Sequence, residues 1–145
     1  MIEYKPMTTA KEWQWMKSRT HLILCEDSQG IVAYDDGKIV AMCVGDSFGV
    51  DCCNLHMAID NPMVIRRGFL TAIADHFFYT CKRQRFFGLV PDNNDKAIKL
   101  NKHIGFREVA RVPDTIRAGV GYVIMRMDKA ECRWLSRNTE HQEAA

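Results

Sequence analysis

The sequence predicts an α/β fold built on a mixed, mostly antiparallel sheet flanked by helices, and three observations carry that prediction. Two β-rich runs, Gly30–Tyr34 and Lys38–Val44, surround Asp35-Asp36-Gly37, a hairpin turn signal. Phe69, Leu70, Ile73 and Phe77 recur near helical spacing in the middle of the chain. A short apolar strand, Phe86–Val90, then leads through a capping loop into a helix that stops at Gly105.

Taken in order, Ile2–Met7 reads as a first strand. Thr9–Lys17 reads as a helix that Thr8 or Thr9 can cap, with Trp13, Met16 and Trp15 as its apolar side. His21–Gln29 has no clear period. The hairpin follows, because Gly takes the positive φ such a turn demands and Asp tolerates it. After a loop over Asp46–Asp51, a strand is expected over Asn54–Ile59, broken by Asp60-Asn61-Pro62. A helix over Arg67–Cys81 carries the apolar stripe. Pro91-Asp92-Asn93-Asn94 then caps a helix over Asp95–Ile104, and strands follow at Arg107–Val112 and Tyr122–Met127. The resulting order is strand, helix, hairpin, strand, helix, strand, helix, strand, strand.

Composition narrows the class. At 145 residues, with 47% hydrophobic and 26% charged residues, the chain matches one soluble domain, assigned to residues 1–135, with a polar tail over residues 136–145. A net charge of +2 does not argue for nucleic acid. No apolar run approaches a membrane span, and Met1–Pro6 lacks the basic and apolar segments of a secretory leader, so a cytoplasmic location with reduced thiols is expected. Cys25, Cys43, Cys52, Cys53, Cys81 and Cys132 contain no Cys-x-x-Cys pair. They read as small apolar residues, and no metal site is expected.

The most specific stretch runs from Val90 to Phe106. A strand ending in Val leads to Asn94; Ala97 follows three residues later, then Leu100, Gly105 and Phe106. This pattern resembles the GNAT N-acetyltransferase superfamily, whose helix closes as Leu-Tyr-x-x-x-Gly-Phe; here Asn101 stands in place of the Tyr. A second, weaker likeness is Pro62–Ile73, where the family carries a basic Gly-rich turn opening a helix. Gly68 matches the middle Gly, while Ile65, Arg66 and Leu70 replace the leading Arg and the outer two small residues. With the hairpin and the closing strand Gly121–Met127, the resemblance spans residues 1–128. The chain also resembles compact GNAT-like proteins encoded by bacteriophages.

The resemblance implies the acyl-CoA N-acyltransferase fold, with acetyl-CoA lying between two splayed central strands. It assigns cofactor contacts to the backbone of Met57, Ala58 and Ile59, to the turn of Arg66, Arg67, Gly68 and Phe69, and to Asn94, Ala97 and Asn101. Helix-start N–H groups would hold the pyrophosphate, with Arg66 and Arg67 adding charge-assisted contacts. Two solvated arginines at a helix start are the alternative, as a plain N-cap is for Asn94.

The implied chemistry is direct attack of an amine on the thioester, which needs a base, an oxyanion donor and an acid. The family's base is often a Glu on the central strand. That strand has none here, so His56 is the titratable substitute; a structural strand histidine is the alternative. Asp51 and Asp60 read as turn or cap residues. Tyr122 is the candidate acid, with His103 behind it. The acceptor is an amine, either a small molecule or a protein lysine or N-terminus. Asp27, Asp35, Asp36 and Asp46 form no acidic cluster that would single out polyamines.

Two other readings compete. A catalytically degraded GNAT fold, such as a phage factor that occupies a host protein, accounts for the incomplete turn and the missing Tyr. Trp13, Trp15 and Trp134 would then be interface anchors, against core packing as the alternative. Lys82–Phe87 mixes charge with aromatics as nucleic-acid surfaces do, but reads better as a solvated helix end before a buried strand. Many family members pair through their last strands, so a homodimer is expected.

Overall fold

A computed structural model describes residues 1–136. Its chain runs through β1 (Ile2–Pro6), α1 (Ala10–Lys17), β2 (Gln29–Asp35), β3 (Lys38–Asp46), β4 (Cys52–Ile59), α2 (Phe69–Ala74), β5 (Arg85–Pro91), α3 (Asp95–Ile104), β6 (Arg107–Arg117) and β7 (Val120–Asp128). The strands form one seven-stranded sheet in the order β1-β2-β3-β4-β5-β7-β6. Every neighbouring pair is antiparallel except β4 and β5. This is the mixed, mostly antiparallel sheet expected from the sequence. The expected tail lies outside the described residues apart from Ser136, whose backbone N–H donates to Asp75 Oδ1 at 2.9 Å.

The local signals explain most elements. Thr9 caps α1 through a reciprocal arrangement in which its hydroxyl accepts from the Glu12 N–H and Glu12 reaches back to the Thr9 N–H. Asp36 and Gly37 take φ of 48° and 82°, the twin positive values that a two-residue hairpin turn requires. Glycine at position 105, with φ of 123°, stops α3.

Two elements depart from expectation. The helix expected from Arg67 starts at Phe69, because Pro62–Arg66 winds as a separate 3-10 turn and Gly68 at φ 94° breaks the path. Its last stretch, Asp75–Thr80, winds as a π-helix, closed by the Cys81 N–H donating to the His76 carbonyl at 2.8 Å. The wider turn lets two consecutive residues reach the sheet. Phe78 stacks on Phe86 at 3.9 Å between ring centroids, and Phe77 meets the same ring edge-on at 6.0 Å. Strand β6 also runs five residues beyond its expected end, through Pro113. It is an edge strand, where a residue with no N–H to donate is tolerated.

Two apolar cores result. The larger lies between the sheet and α2 and α3, and includes Cys53, Leu55, Phe69, Phe77, Phe86, Val123 and Met125. The smaller lies under α1, around Met16, Val32, Met42 and Val44. Among the described residues, no helix is long and apolar enough to cross a membrane.

Candidate active site

Strands β4 and β5 pair through only three residue pairs, Cys52 with Arg85, Cys53 with Phe86 and Asn54 with Phe87. Beyond them β4 stays with β3 as far as Ile59, while β5 stays with β7 as far as Pro91. Each strand follows its antiparallel neighbour, so the two part. The edge of β4 from Leu55 to Ile59 therefore faces a groove with no strand alongside, and its peptide groups are presented to whatever enters. Exposure marks the gap: Met57 and Ile59 point to the larger core yet are only half-buried. Beneath the groove, on the α2 and α3 side, is an apolar cavity lined by Leu55, Met57, Ile73, Phe86, Ile104 and Trp134 among others.

Two helix starts stand at the open end of the groove. On the α2 side, Asn61 accepts from the Met63 N–H at 3.0 Å and caps the 3-10 turn. Tyr4 braces the entry to α2: its hydroxyl donates to the Arg67 carbonyl at 2.6 Å, and its ring stacks on Phe69. Arg66, Arg67 and Gly68 are exposed, whereas the Phe69 side chain is fully buried. Only the backbone of Phe69 is therefore available to a ligand. On the α3 side, Asn94 Oδ1 accepts from the Ala97 N–H at 3.1 Å. The capping role of Asn94 is thus realised, and its amide NH₂ keeps its donors beside it. The loop before α3 is pinned to β7, with Gly121 donating to Asp92 Oδ2 at 3.0 Å and Asp92 donating to the Gly121 carbonyl at 2.9 Å.

Asn101 reaches the narrow end of the groove. Its Nδ2 lies 3.8 Å from where a Cβ on Gly88 would stand. Gly88 is the first β5 residue past the last pairing with β4. The residue that replaces the family's Tyr thus lies over the point where the strands part. An amide there can hydrogen-bond a sulfur or carbonyl but cannot supply an acidic proton.

His56 lies two residues beyond the last pairing, on the sheet face opposite the larger core. Its Nε2 is 3.1 Å from Oδ1 of Asp46, and both side chains are largely shielded from solvent. Asp46, expected in a loop, is in fact the last residue of β3 and is buried. Sequence reading misses this partner, because the two lie ten residues apart and meet only through the β3–β4 register. Tyr122 shares the exposed side of the sheet but belongs to β7, opposite Pro91, with β5 between it and His56. His103 is exposed near the end of α3, and its carbonyl accepts from Arg133.

Burial raises Cys43 well above the ordinary thiol range and pushes Cys53 up to about 12. All six cysteines are free. No group of His, Cys, Asp or Glu that could hold a metal occurs among the described residues. None of the tryptophans is fully exposed: Trp13 and Trp15 pack against the smaller core, and Trp134 donates to the Ile104 carbonyl at 2.7 Å.

No family model matches the sequence, and no curated protein matches it. Solved structures do. Mutant forms of the spermidine/spermine N-acetyltransferase SpeG from Vibrio cholerae superpose with a TM-score of 0.75 at 10% identity, covering 90% of this chain and 96% of that one. A protein of the GNAT family from Desulfovibrio desulfuricans gives 0.72 at 11%, covering 89% and 99%. The chain has the GNAT acetyltransferase fold. The ribosomal-protein-S18-alanine N-acetyltransferase from Escherichia coli adds a third GNAT-fold likeness, at 0.69 and 18% identity, covering 88% and 94%. The overall fold of this chain is thus that of these structures, at no more than 18% sequence identity to them.

Proposed function

We propose that this chain is an acetyl-CoA-dependent N-acetyltransferase acting on an amine. The observation that carries the reading is the groove between β4 and β5, with an unpaired strand edge on one side and, at its mouth, the capped 3-10 turn that precedes α2 and the capped start of α3. Its residues fit the cofactor. The edge from Leu55 to Ile59 suits a pantetheine amide chain, as an added strand would be held. Arg66 and Arg67, exposed beside Gly68, suit the pyrophosphate. The neighbours' names, which specify spermidine, spermine and a protein alanine, all denote amine acceptors.

Bound acetyl-CoA supplies an acetyl group activated as a thioester. The chain's own part is to deprotonate the amine at His56 and to offer β4 N–H groups around Met57–Ile59 to the developing oxyanion. With Asn101 in place of a phenol, Tyr122 or water would be the proton source for the leaving group. The raised thiol pKa values of Cys43 and Cys53 agree with direct transfer rather than an acyl-cysteine. The proposed setting is a single cytoplasmic domain, and the long exposed edge of β6 favours a homodimer.

A second reading has its own observation. Leu89, Val112 and Ile116 expose apolar surface on the C-terminal part of the sheet, at 38%, 42% and 39%. A degraded GNAT fold that binds a protein would use such a surface. Titration calorimetry with acetyl-CoA, followed by mass spectrometry of amine mixtures, separates the two. Saturable binding and a mass gain on an amine are expected, the gain being ~42 Da for acetyl in place of hydrogen. No heat at millimolar cofactor would sink the enzyme reading and leave the protein-binding one.

A further inference from the structure

Only two charged side chains are buried among the described residues, Glu12 and Asp46. Burying a carboxylate is costly unless hydrogen bonds compensate. Glu12 has a structural reason, since it accepts from the Thr8 and Thr9 N–H groups at 2.8 and 2.9 Å and from the Tyr34 hydroxyl. Asp46 has no such set. Its side-chain hydrogen bond is to His56, 3.1 Å from Nε2. In the β3–β4 ladder His56 lies opposite Val44 and Asp46 lies opposite Asn54, so the pair is diagonal on one face. The carboxylate therefore reaches from the level of Asn54, the last β4 residue paired with β5, to His56 in the parted stretch.

We infer that Asp46 is a positioning residue for His56, fixing the imidazole tautomer so that Nδ1 is the proton-accepting nitrogen. A carboxylate only accepts hydrogen bonds, so the nitrogen facing it must carry a hydrogen. Nε2 is that nitrogen, which leaves the lone pair of the neutral ring on Nδ1. When Nδ1 takes a proton from the amine, the positive ring rests against the Asp46 carboxylate; the N–H bond of the amine breaks as the ring N–H bond forms. Holding both residues on neighbouring strands fixes the ring's orientation at no cost at the moment of reaction. This inference rests on the acetyltransferase reading, but its first observable does not.

Long-range proton–nitrogen NMR of the full chain, with the His56 signals assigned by their loss in His56→Gln, reads the tautomer directly at mildly alkaline pH. Nε2–H alone is expected; Nδ1–H, or an even mixture, overturns the inference. Asp46→Asn then tests its consequence. Its tautomer distribution should shift, its acetyl-CoA affinity should stay within about twofold, and its kcat for the amine should fall roughly tenfold to a hundredfold. Unchanged kcat in Asp46→Asn, with a wild type that turns over, would overturn the positioning role. The expected tautomer in a wild type that binds acetyl-CoA yet acetylates no amine would instead refute the acetyltransferase reading. Should Asp46→Asn misfold, the wild-type spectrum still decides.

Discussion

The two halves of the sheet are built differently. In β1–β4 the central strands are covered on both faces: β3 is buried from Ile39 to Asp46, between α1 on one side and α2 on the other. In β5–β7–β6 only the α3 side is covered. Strand β7 alternates between buried and half-buried residues, and β6 is exposed along almost its whole length. Three residue pairs of β4 with β5 join the halves. A groove arises at the seam between them. The doubly covered half holds His56 and Asp46 3.1 Å apart, and the half-open one leaves room beside them.

Phe77 bridges the seam. It meets Phe86 of β5, and a Cβ on Gly45 of β3 would stand 2.4 Å from its ring. Phe77→Ala should therefore cost about 3–5 kcal/mol of stability in urea unfolding, the largest effect anticipated, and loosen both halves together. Loss from one half alone, read by hydrogen exchange, would break the picture of a single seam.

Next is Tyr34→Phe in the doubly covered half, expected to cost about 2 kcal/mol because the buried Glu12 loses a donor. Burial pushes the Tyr34 hydroxyl up, with help from Glu12, to about 12. That raised value contributes stability present below the ordinary 10.0 and lost as pH rises through about 12. Burial alone would raise the Glu12 carboxyl, but the hydrogen bonds from Tyr34, Thr8 and Thr9 outweigh it and hold it below its usual 4.5. Its contribution is present above 4.5 and lost as pH falls through the lower folded value. Stability measured against pH should show both limbs in the wild type and a weakened alkaline limb in Tyr34→Phe.

At the mouth of the groove, Arg66→Ala/Arg67→Ala should weaken acetyl-CoA binding roughly tenfold, about 1.4 kcal/mol, with little change in melting temperature. Unaltered affinity would remove the arginines from the pyrophosphate site. The smallest effect belongs to the open half. Val112→Thr should change stability by less than about 0.5 kcal/mol, because Val112 is already 42% exposed. A large loss there would mean that the face is covered in solution, as the homodimer or a protein partner would cover it.

The same division governs what is legible in the sequence. Features set by neighbours in the chain can be read: Asp36-Gly37 specifies the hairpin, and Asn94 with Gly105 bounds α3. The likeness around Val90–Phe106 leads to the fold. Features set by pairing across strands cannot be read. Nothing in residues 55–59 announces that β5 will leave them, and Asp46 finds His56 only through the register. The π-helical close of the α2 segment is hidden because its apolar stripe fits an ordinary helix. Strand β6 outruns its expected end because Pro113-Asp114 reads as a breaker, and only an edge position tolerates it.

Whether the seam between β4 and β5 holds acetyl-CoA is decided by amide hydrogen exchange with and without the cofactor. Slowed exchange is expected over Leu55–Ile59, at the start of α2 and at the start of α3, with little change in β2. Protection confined to segments away from these three, or none at saturating cofactor, would contradict a cofactor site at the seam.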